Sequence, residues 1–324
     1  MRFVVYGIGA VGGALAAALS GSGADVIAIA RGRQLESLQN GPIVLHSPAG
    51  SVSIALRSVA GPEHADLEDG DVVLLTVKSQ HTAQVAADLA ATADRDIPII
   101  CFQNGVANEP TLLRLFRRVY GAVVMMPTTY VEPGQVSVYG QPRHGIIDIG
   151  RFPGGVDDLT GQVSAALTAA NFDSRPIPDI MRWKYGKLVG NLTNAIEAIC
   201  GLGTRGGDLG RMVTEEGVRV LDGAGIAYAS EAEEDERRGE NVELDLAGGI
   251  PRRGASSWQS LARGSGSIET DYLNGEISLL GRLHDIATPA NDIVQTLALE
   301  TARSGAAPGS IPEREILDML ARAT

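Results

Sequence analysis

The chain opens Met1-Arg2-Phe3-Val4-Val5-Tyr6 and runs directly into Gly7-Ile8-Gly9-Ala10-Val11-Gly12-Gly13. A short apolar run rich in Val and aromatic residues reads as a buried strand. Ala14 to Leu19, rich in Ala and Leu, read as the first turns of a helix. Gly7, Gly9 and Gly12 therefore fall on a strand–turn–helix junction with the spacing G-x-G-x-x-G. The first glycine permits the tight turn. The second lets a pyrophosphate approach the backbone without a Cβ in the way. The third lets helix and strand pack closely. N–H groups at the helix start then face the phosphates. A second strand, Val26 to Ala30, follows at the distance that a dinucleotide site requires.

The end of that second strand bears on which dinucleotide is bound. A site for NAD places Asp or Glu there, on the ribose 2′-hydroxyl. Here the strand ends Ile29-Ala30-Arg31-Gly32-Arg33, and Asp25 stands at the opposite end. Arg31 and Arg33 occupy the place of a 2′-phosphate, which a planar guanidinium suits. The reading is NADP(H); the alternative is two solvated surface arginines.

Working outward, Ile43 to His46 and Val52 to Leu56 form a small hairpin turned at Ser47-Pro48-Ala49-Gly50. Asp71 to Lys78 and Ile97 to Phe102 are continuous apolar runs, the mark of strands covered on both faces. Lys78 and Asn104 stand at the carboxyl ends of these strands, where open parallel sheets bind ligands. Val119 to Met126 give a further strand. Val136 to Tyr139 and Ile146 to Ile149 alternate and read as an antiparallel addition closing the domain. Asp173 to Asp179 pass through two prolines, and the domain boundary is placed there.

From Ile180 to Ile199 the pattern is one largely apolar helix. Trp183, Lys187, Asn191 and Asn194 break it at i, i+4, i+8 and i+11, so they share a face. Buried amides and ammonium groups cost several kcal/mol without partners. The stripe either lines a cleft facing the cofactor, or simply meets water or caps a neighbouring element. Glu231 to Glu240 are strongly acidic and read as a solvated helix face or a mobile loop. Ser267 is expected to N-cap a helix with Glu269 and Asp271 in its first turn. Strand patterning fades after about residue 180. The expected fold is an α/β Rossmann-type N-terminal domain with a parallel sheet (1–178), followed by an all-α C-terminal domain (179–324).

The totals bound the function. At 324 residues, 44% hydrophobic and 20% charged, the chain has the composition of a soluble globular protein of two domains. A formal charge of −12 argues against nucleic acid or an anionic membrane as partner. No apolar run is long enough to span a bilayer. Two cysteines, Cys101 and Cys200, in apolar surroundings point to a reducing, cytoplasmic compartment. His and Cys are too few and too badly spaced for a metal site.

Taken together, Gly7-x-Gly9-Ala10-x-Gly12, Val77-Lys78, Gln103-Asn104-Gly105, Lys187-Leu188-x-x-Asn191 and Glu269-x-Asp271-Tyr272-x-Asn274-Gly275 resemble the ketopantoate reductase (2-dehydropantoate 2-reductase) family over essentially the whole chain. The resemblance implies NADPH held by Gly7, Ile8, Gly9, Ala10, Val11, Gly12, Arg31, Lys78, Asn104 and Glu269. It implies Lys187 as general acid, with Glu269 accepting from a substrate hydroxyl. It implies a 2-keto acid held by Asn191, Asn194, Ser257 and Asn104, in the route to pantothenate and coenzyme A. The chemistry is consistent. Hydride arriving at a ketone carbon makes an alkoxide, which a nearby ammonium stabilises and protonates.

Two departures concern the substrate. The family's second Asn, four residues after the first, is Ala195 here, and Asn194 precedes it by a helical rotation of about 100 degrees. The serine motif is one residue short: aligning on Gln259 selects Ser256, counting back from Glu269 selects Ser257, and Ser257 is preferred. Gly264-Ser265-Gly266-Ser267 replace a more charged stretch. A relative with another keto acid is the alternative. A non-catalytic NADP(H)-binding sensor would have no use for a proton donor. A homodimer is expected only as the commonest assembly.

Overall fold

A computed structural model describes residues 1–247, 249, 251–264 and 266–323; Ser265 lies outside them. The chain forms two compact units. The first comprises Met1–Gln103, Asn108–Met181 and Ala232–Arg252; the second comprises Asn104–Ala107, Arg182–Glu231 and the chain from Arg253 onward.

The first unit is built on strands β1 (Arg2–Tyr6), β2 (Asp25–Ile29), β3 (Ile43–Ser47), β4 (Gly50–Ile54), β5 (Arg57–Val59), β6 (Asp71–Leu75), β7 (Ile99–Cys101), β8 (Val119–Met125), β9 (Thr128–Glu132), β10 (Gln135–Val138), β11 (Gly140–Pro142), β12 (Ile146–Arg151) and β13 (Val242–Leu244). Seven of them form the main sheet in the order β12-β8-β7-β6-β1-β2-β5. Its members run parallel except β12, which is antiparallel to β8. The strand order reverses around β1, which defines the switch point where such sheets bind ligands.

The sheet is buried on both faces, which is why its strands read as unbroken apolar runs. Phe3, Val5, Val26, Ala28, Val72 and Leu74 join the core with the helix Ala10–Gly21. Val4, Tyr6, Ile27, Ile29, Val73 and Leu75 join the opposite core, with the helix Thr82–Ala90. The β3–β4 hairpin forms as expected, but it belongs to a second sheet, β4-β3-β10-β9. The run Val136–Tyr139 therefore does not close the main sheet. Its strand β10 runs parallel to β3 instead, and β12 alone supplies the antiparallel edge.

The second unit is helical, with helices Asp208–Gly223, Ser256–Ala262, Asn274–Leu283, Pro289–Ser304 and Glu313–Ala323 among its elements. Not all of residues 179–324 belong to it. Residues 232–252 pack with the first unit, where β13 pairs antiparallel with β11. The acidic stretch is not simply a solvated face either. It forms the helix Glu231–Arg238, and its Arg237 is buried. Arg237 donates through Nε and Nη2 to Asp148 at 2.7 Å each, and through Nη1 to Asp173 at 2.8 Å. Composition reported the surrounding carboxylates but not the one guanidinium that turns inward.

The expected helix 180–199 is two helices, Ile180–Asn191 and Asn194–Cys200. The break at Leu192–Thr193 is held by side chains that take the released carbonyls. Arg205 donates to Gly190 O and to Thr193 Oγ1, and Asn274 Nδ2 donates to Leu192 O. A cation at a helix C-terminus also suits the dipole. The helix expected from Ser267 begins instead at Asn274, after a 3₁₀ turn over Thr270–Tyr272. Ser267 is therefore not its N-cap. Glu269 and Asp271 precede it. No helix among the described residues is long and apolar enough to cross a membrane.

Candidate functional site

In the first unit, three strand ends are level. Tyr6 pairs with Ile29 on one side and Leu75 on the other. The turn after β1 is tied into this frame: Gly7 N donates to Ile29 O, and Thr76 N and Oγ1 both donate to Tyr6 O. Thr76 Oγ1 also lies 2.7 Å from Gly7 O. Sequence reading gave Thr76 no role, because a threonine in an apolar strand carries no signal of its own.

The three glycines do different work. Gly7 has φ +106°, and a Cβ there would sit 2.8 Å from Val77 N. A Cβ at Gly12 would press on the Gly7 carbonyl oxygen and stand 2.5 Å from Thr76 Oγ1. At Gly9 a Cβ would meet nothing within 4 Å. Gly7 and Gly12 thus serve the fold, whereas Gly9 keeps open space at the N-cap of Ala10–Gly21. Gly13 N already bonds Gly9 O. The N–H groups of Ala10, Val11 and Gly12 come before the first intrahelical bond and are oriented for an anion. The residues present therefore fit a dinucleotide pyrophosphate.

This division predicts a split result. Gly12→Ala is expected to destabilise by about 1–3 kcal/mol through overpacking. Gly9→Ala is expected to keep its unfolding midpoint while losing about tenfold or more in dinucleotide affinity, ~1.4 kcal/mol. Thermal unfolding beside a binding titration reads both; loss of stability at Gly9 with unchanged affinity would contradict the assignment.

Arg31 is the N-cap residue of the helix Gly32–Asn40, with its side chain 63% exposed. Its Nη2 lies 3.1 Å from Tyr6 Oη and 3.1 Å from Asp88 Oδ2. Burial pushes the Tyr6 phenol above its ordinary value, against the pull of Arg31. Asp88 lies on Thr82–Ala90, far from β2 in sequence, so no motif announced it. Lys78 is half-buried at the N-cap of the 3₁₀ turn Ser79–His81. Behind it, Ser79, Thr82, Gln103 and Asn108 form a buried hydrogen-bonded set.

In the second unit, Lys187 and Asn191 stand one turn apart on the helix Ile180–Asn191, and both are half-buried. Asn194 belongs to the next helix, yet its Nδ2 donates to Asn191 Oδ1 at 3.1 Å. The two amides, three residues apart, stay side by side across the helix break. Asn191 Nδ2 is buried with no hydrogen-bond partner among the described residues. A buried donor without an acceptor costs about 1–3 kcal/mol, so it is poised for a ligand oxygen.

Ser257 is buried and Ser256 exposed at the start of Ser256–Ala262. Glu197 accepts from Ala255 N at 2.6 Å and so anchors that helix start. Asn104 and Gly105 group with this unit. Gly105 has φ +77°, and a Cβ there would sit 2.7 Å from Tyr272 O. The Asn104–Gly105 loop therefore packs on the turn that follows Glu269, itself half-buried. Asn274, quoted in a motif but given no role, connects Leu192 O, Thr270 and Asn291. The Glu216 carboxylate accepts from Ala290 N, Asn291 N and Asn291 Nδ2, capping Pro289–Ser304. Burial also pushes the Glu276 carboxyl up. Among the described residues no cluster of His, Cys, Asp and Glu could hold a metal ion.

A phosphate cradle on a parallel sheet, with a lysine and paired amides in a following helical unit, is the plan of a dinucleotide-dependent oxidoreductase. Comparison with known proteins gives the family. The profile of "Ketopantoate reductase PanE/ApbA" matches residues 3–154, and that of its C-terminal domain matches residues 179–301. A 2-dehydropantoate 2-reductase of Archaeoglobus fulgidus is 30% identical over 90% of this chain and 94% of its own. One from Pyrococcus horikoshii is 26% identical over 92% and 96%. A crystal structure of a PanE/ApbA family ketopantoate reductase from Ralstonia eutropha superposes with a TM-score of 0.78 at 26% identity, covering 94% of this chain and 99% of that one. A ternary structure of D-mandelate dehydrogenase with NADH shares the fold, with a TM-score of 0.79 at 20% identity over 94% and 99%. The chain belongs to the ketopantoate reductase PanE/ApbA family. It is an oxidoreductase with a Rossmann-type domain.

Proposed function

We propose that this enzyme reduces a 2-keto acid, 2-dehydropantoate first among candidates, with NADPH as electron donor and Lys187 as general acid. The observation that carries the reading is the Lys187–Asn191–Asn194 constellation, in which Asn191 Nδ2 is a buried donor without a partner among the described residues. A keto acid offers the carboxylate and ketone oxygens that accept from such donors.

The residues that would hold NADPH are Gly7 to Gly12 at the pyrophosphate, Arg31 at the 2′-phosphate, and Lys78, Asn104 and Glu269. When bound, the cofactor supplies a hydride to the C2 carbonyl carbon. Asn191 and Asn194 orient the substrate, with Ser257 on its anchored helix start. The Lys187 ammonium stabilises the negative charge that develops on the ketone oxygen and gives it a proton. Glu269 accepts from the substrate hydroxyl. The product is the 2-hydroxy acid, which in this reading feeds pantothenate and coenzyme A synthesis.

A second reading keeps the mechanism and changes the keto acid. Ala195 and the shortened serine motif favour it, and the D-mandelate dehydrogenase of the same fold shows that the scaffold is compatible with another substrate. The test is the ratio of kcat/KM values across 2-dehydropantoate and other branched 2-keto acids. The first reading expects 2-dehydropantoate to lead by about tenfold or more, ~1.4 kcal/mol in transition-state binding. A different keto acid at the head of the series would establish the second.

A further inference from the structure

The sequence places no carboxylate at the end of β2, but the fold delivers one from elsewhere. Asp88 Oδ2 lies 3.1 Å from Arg31 Nη2. The Asp88 side chain is 27% exposed, against 63% for Arg31. Its other oxygen accepts from Gln84 Nε2 at 2.8 Å, which fixes the carboxylate in this position. Arg31 Nη2 also reaches Tyr6 Oη at 3.1 Å. A guanidinium nitrogen of this kind carries two hydrogens. Tyr6 and Asp88 take both, leaving Nη1 and Nε to meet an anion.

We infer that Asp88 is a specificity-determining residue that weakens this enzyme's preference for NADPH over NADH. The inference rests on the reading that Arg31 meets the 2′-phosphate. Two effects act in one direction. The carboxylate already neutralises part of the charge that would attract the phosphate and occupies one of its donors. A phosphate hydrogen-bonded to the same guanidinium also stands within about 5 Å of Asp88, and like charges at that range repel. NADH has a hydroxyl in place of the phosphate and meets neither penalty. A carboxylate beside the ribose is also the group that accepts from a 2′-hydroxyl in NAD sites. Because the site is partly exposed, the effect is moderate and screened by salt.

The test is a titration of the purified full-length enzyme with NADPH and with NADH, followed by nicotinamide fluorescence at low and high salt. It uses the wild type, Asp88→Asn, Asp88→Ser and Arg31→Ala, each checked for an unchanged unfolding midpoint. Asp88→Asn keeps the shape and removes the charge; Asp88→Ser covers the case in which the amide re-bonds Arg31. The expected result is that both Asp88 variants bind NADPH about three- to tenfold more tightly. NADH binding stays the same or weakens, and the gain shrinks at high salt. Unchanged NADPH affinity, or equal changes for both cofactors, would overturn the proposal. So would weaker NADPH binding, because Asp88 would then be holding Arg31 in its working position. Arg31→Ala separates the proposal from its premise: NADPH affinity unmoved by Arg31→Ala would remove the 2′-phosphate reading itself, whatever Asp88 does.

Discussion

Lys187→Ala is expected to lower kcat by a factor on the order of 10²–10⁴ with little change in NADPH affinity. That range is what a positioned proton donor contributes, and it corresponds to about 3–5 kcal/mol of transition-state stabilisation. The loss should fall on kcat more than on KM, because the alkoxide exists only as hydride arrives. Lys187→Arg sharpens the test. It keeps the positive charge, but a guanidinium does not give up its proton in proteins. If the lysine acts through charge alone, arginine restores most of the rate. If it transfers a proton, Lys187→Arg stays close to Lys187→Ala. The account predicts the second outcome. A Lys187→Ala enzyme with wild-type kcat would remove the general-acid assignment.

Arg237→Met is expected to be the most destabilising single change. The guanidinium is 4% exposed, Asp148 is 1% exposed and Asp173 18%. Removing the cation leaves a buried carboxylate uncompensated, a loss of about 3–5 kcal/mol. The lost contacts are among those that hold residues 232–252 to the first unit, beside the β11–β13 pairing, so cleavage of this segment in limited proteolysis should accelerate. A pH dependence follows. Hydrogen bonding from Arg237 holds the Asp173 carboxyl below its ordinary value, against the opposing effect of burial. A depressed folded value gives stability that is full above the unfolded value of about 3.9 and is lost as pH falls through the folded one. The gap between wild type and Arg237→Met should therefore be constant near neutrality and narrow in acid. Urea midpoints across pH measure it. A variant within about 1 kcal/mol of wild type at neutral pH would show that the cluster contributes little.

The parts of the fold legible in the sequence are those fixed by local patterning. Gly7, Gly9 and Gly12 sit between a strand and a helix, and backbone geometry leaves few other readings of that spacing. The apolar runs at Val72–Leu75 and Ile99–Cys101 announced strands covered on both faces. What escaped depends on groups brought together from distant positions. Periodicity carried one helix through Leu192, because the partners that take its released carbonyls, Arg205 and Asn274, lie 15 and 82 residues away from those they meet. Arg237 was hidden in an acidic stretch because its carboxylates come from β12 and Asp173. Asp88 was invisible for the same reason: an exposed-looking acid on a helix says nothing until β1 and β2 bring Tyr6 and Arg31 beside it.

The central claim is tested most directly by following NADPH consumption with 2-dehydropantoate, using the purified wild-type enzyme, and repeating the assay with NADH. The account predicts multiple-turnover oxidation of NADPH, one equivalent of 2-hydroxy acid per equivalent consumed, and a higher kcat/KM than with NADH. Tight NADPH binding with no consumption by 2-dehydropantoate or any other 2-keto acid would contradict it.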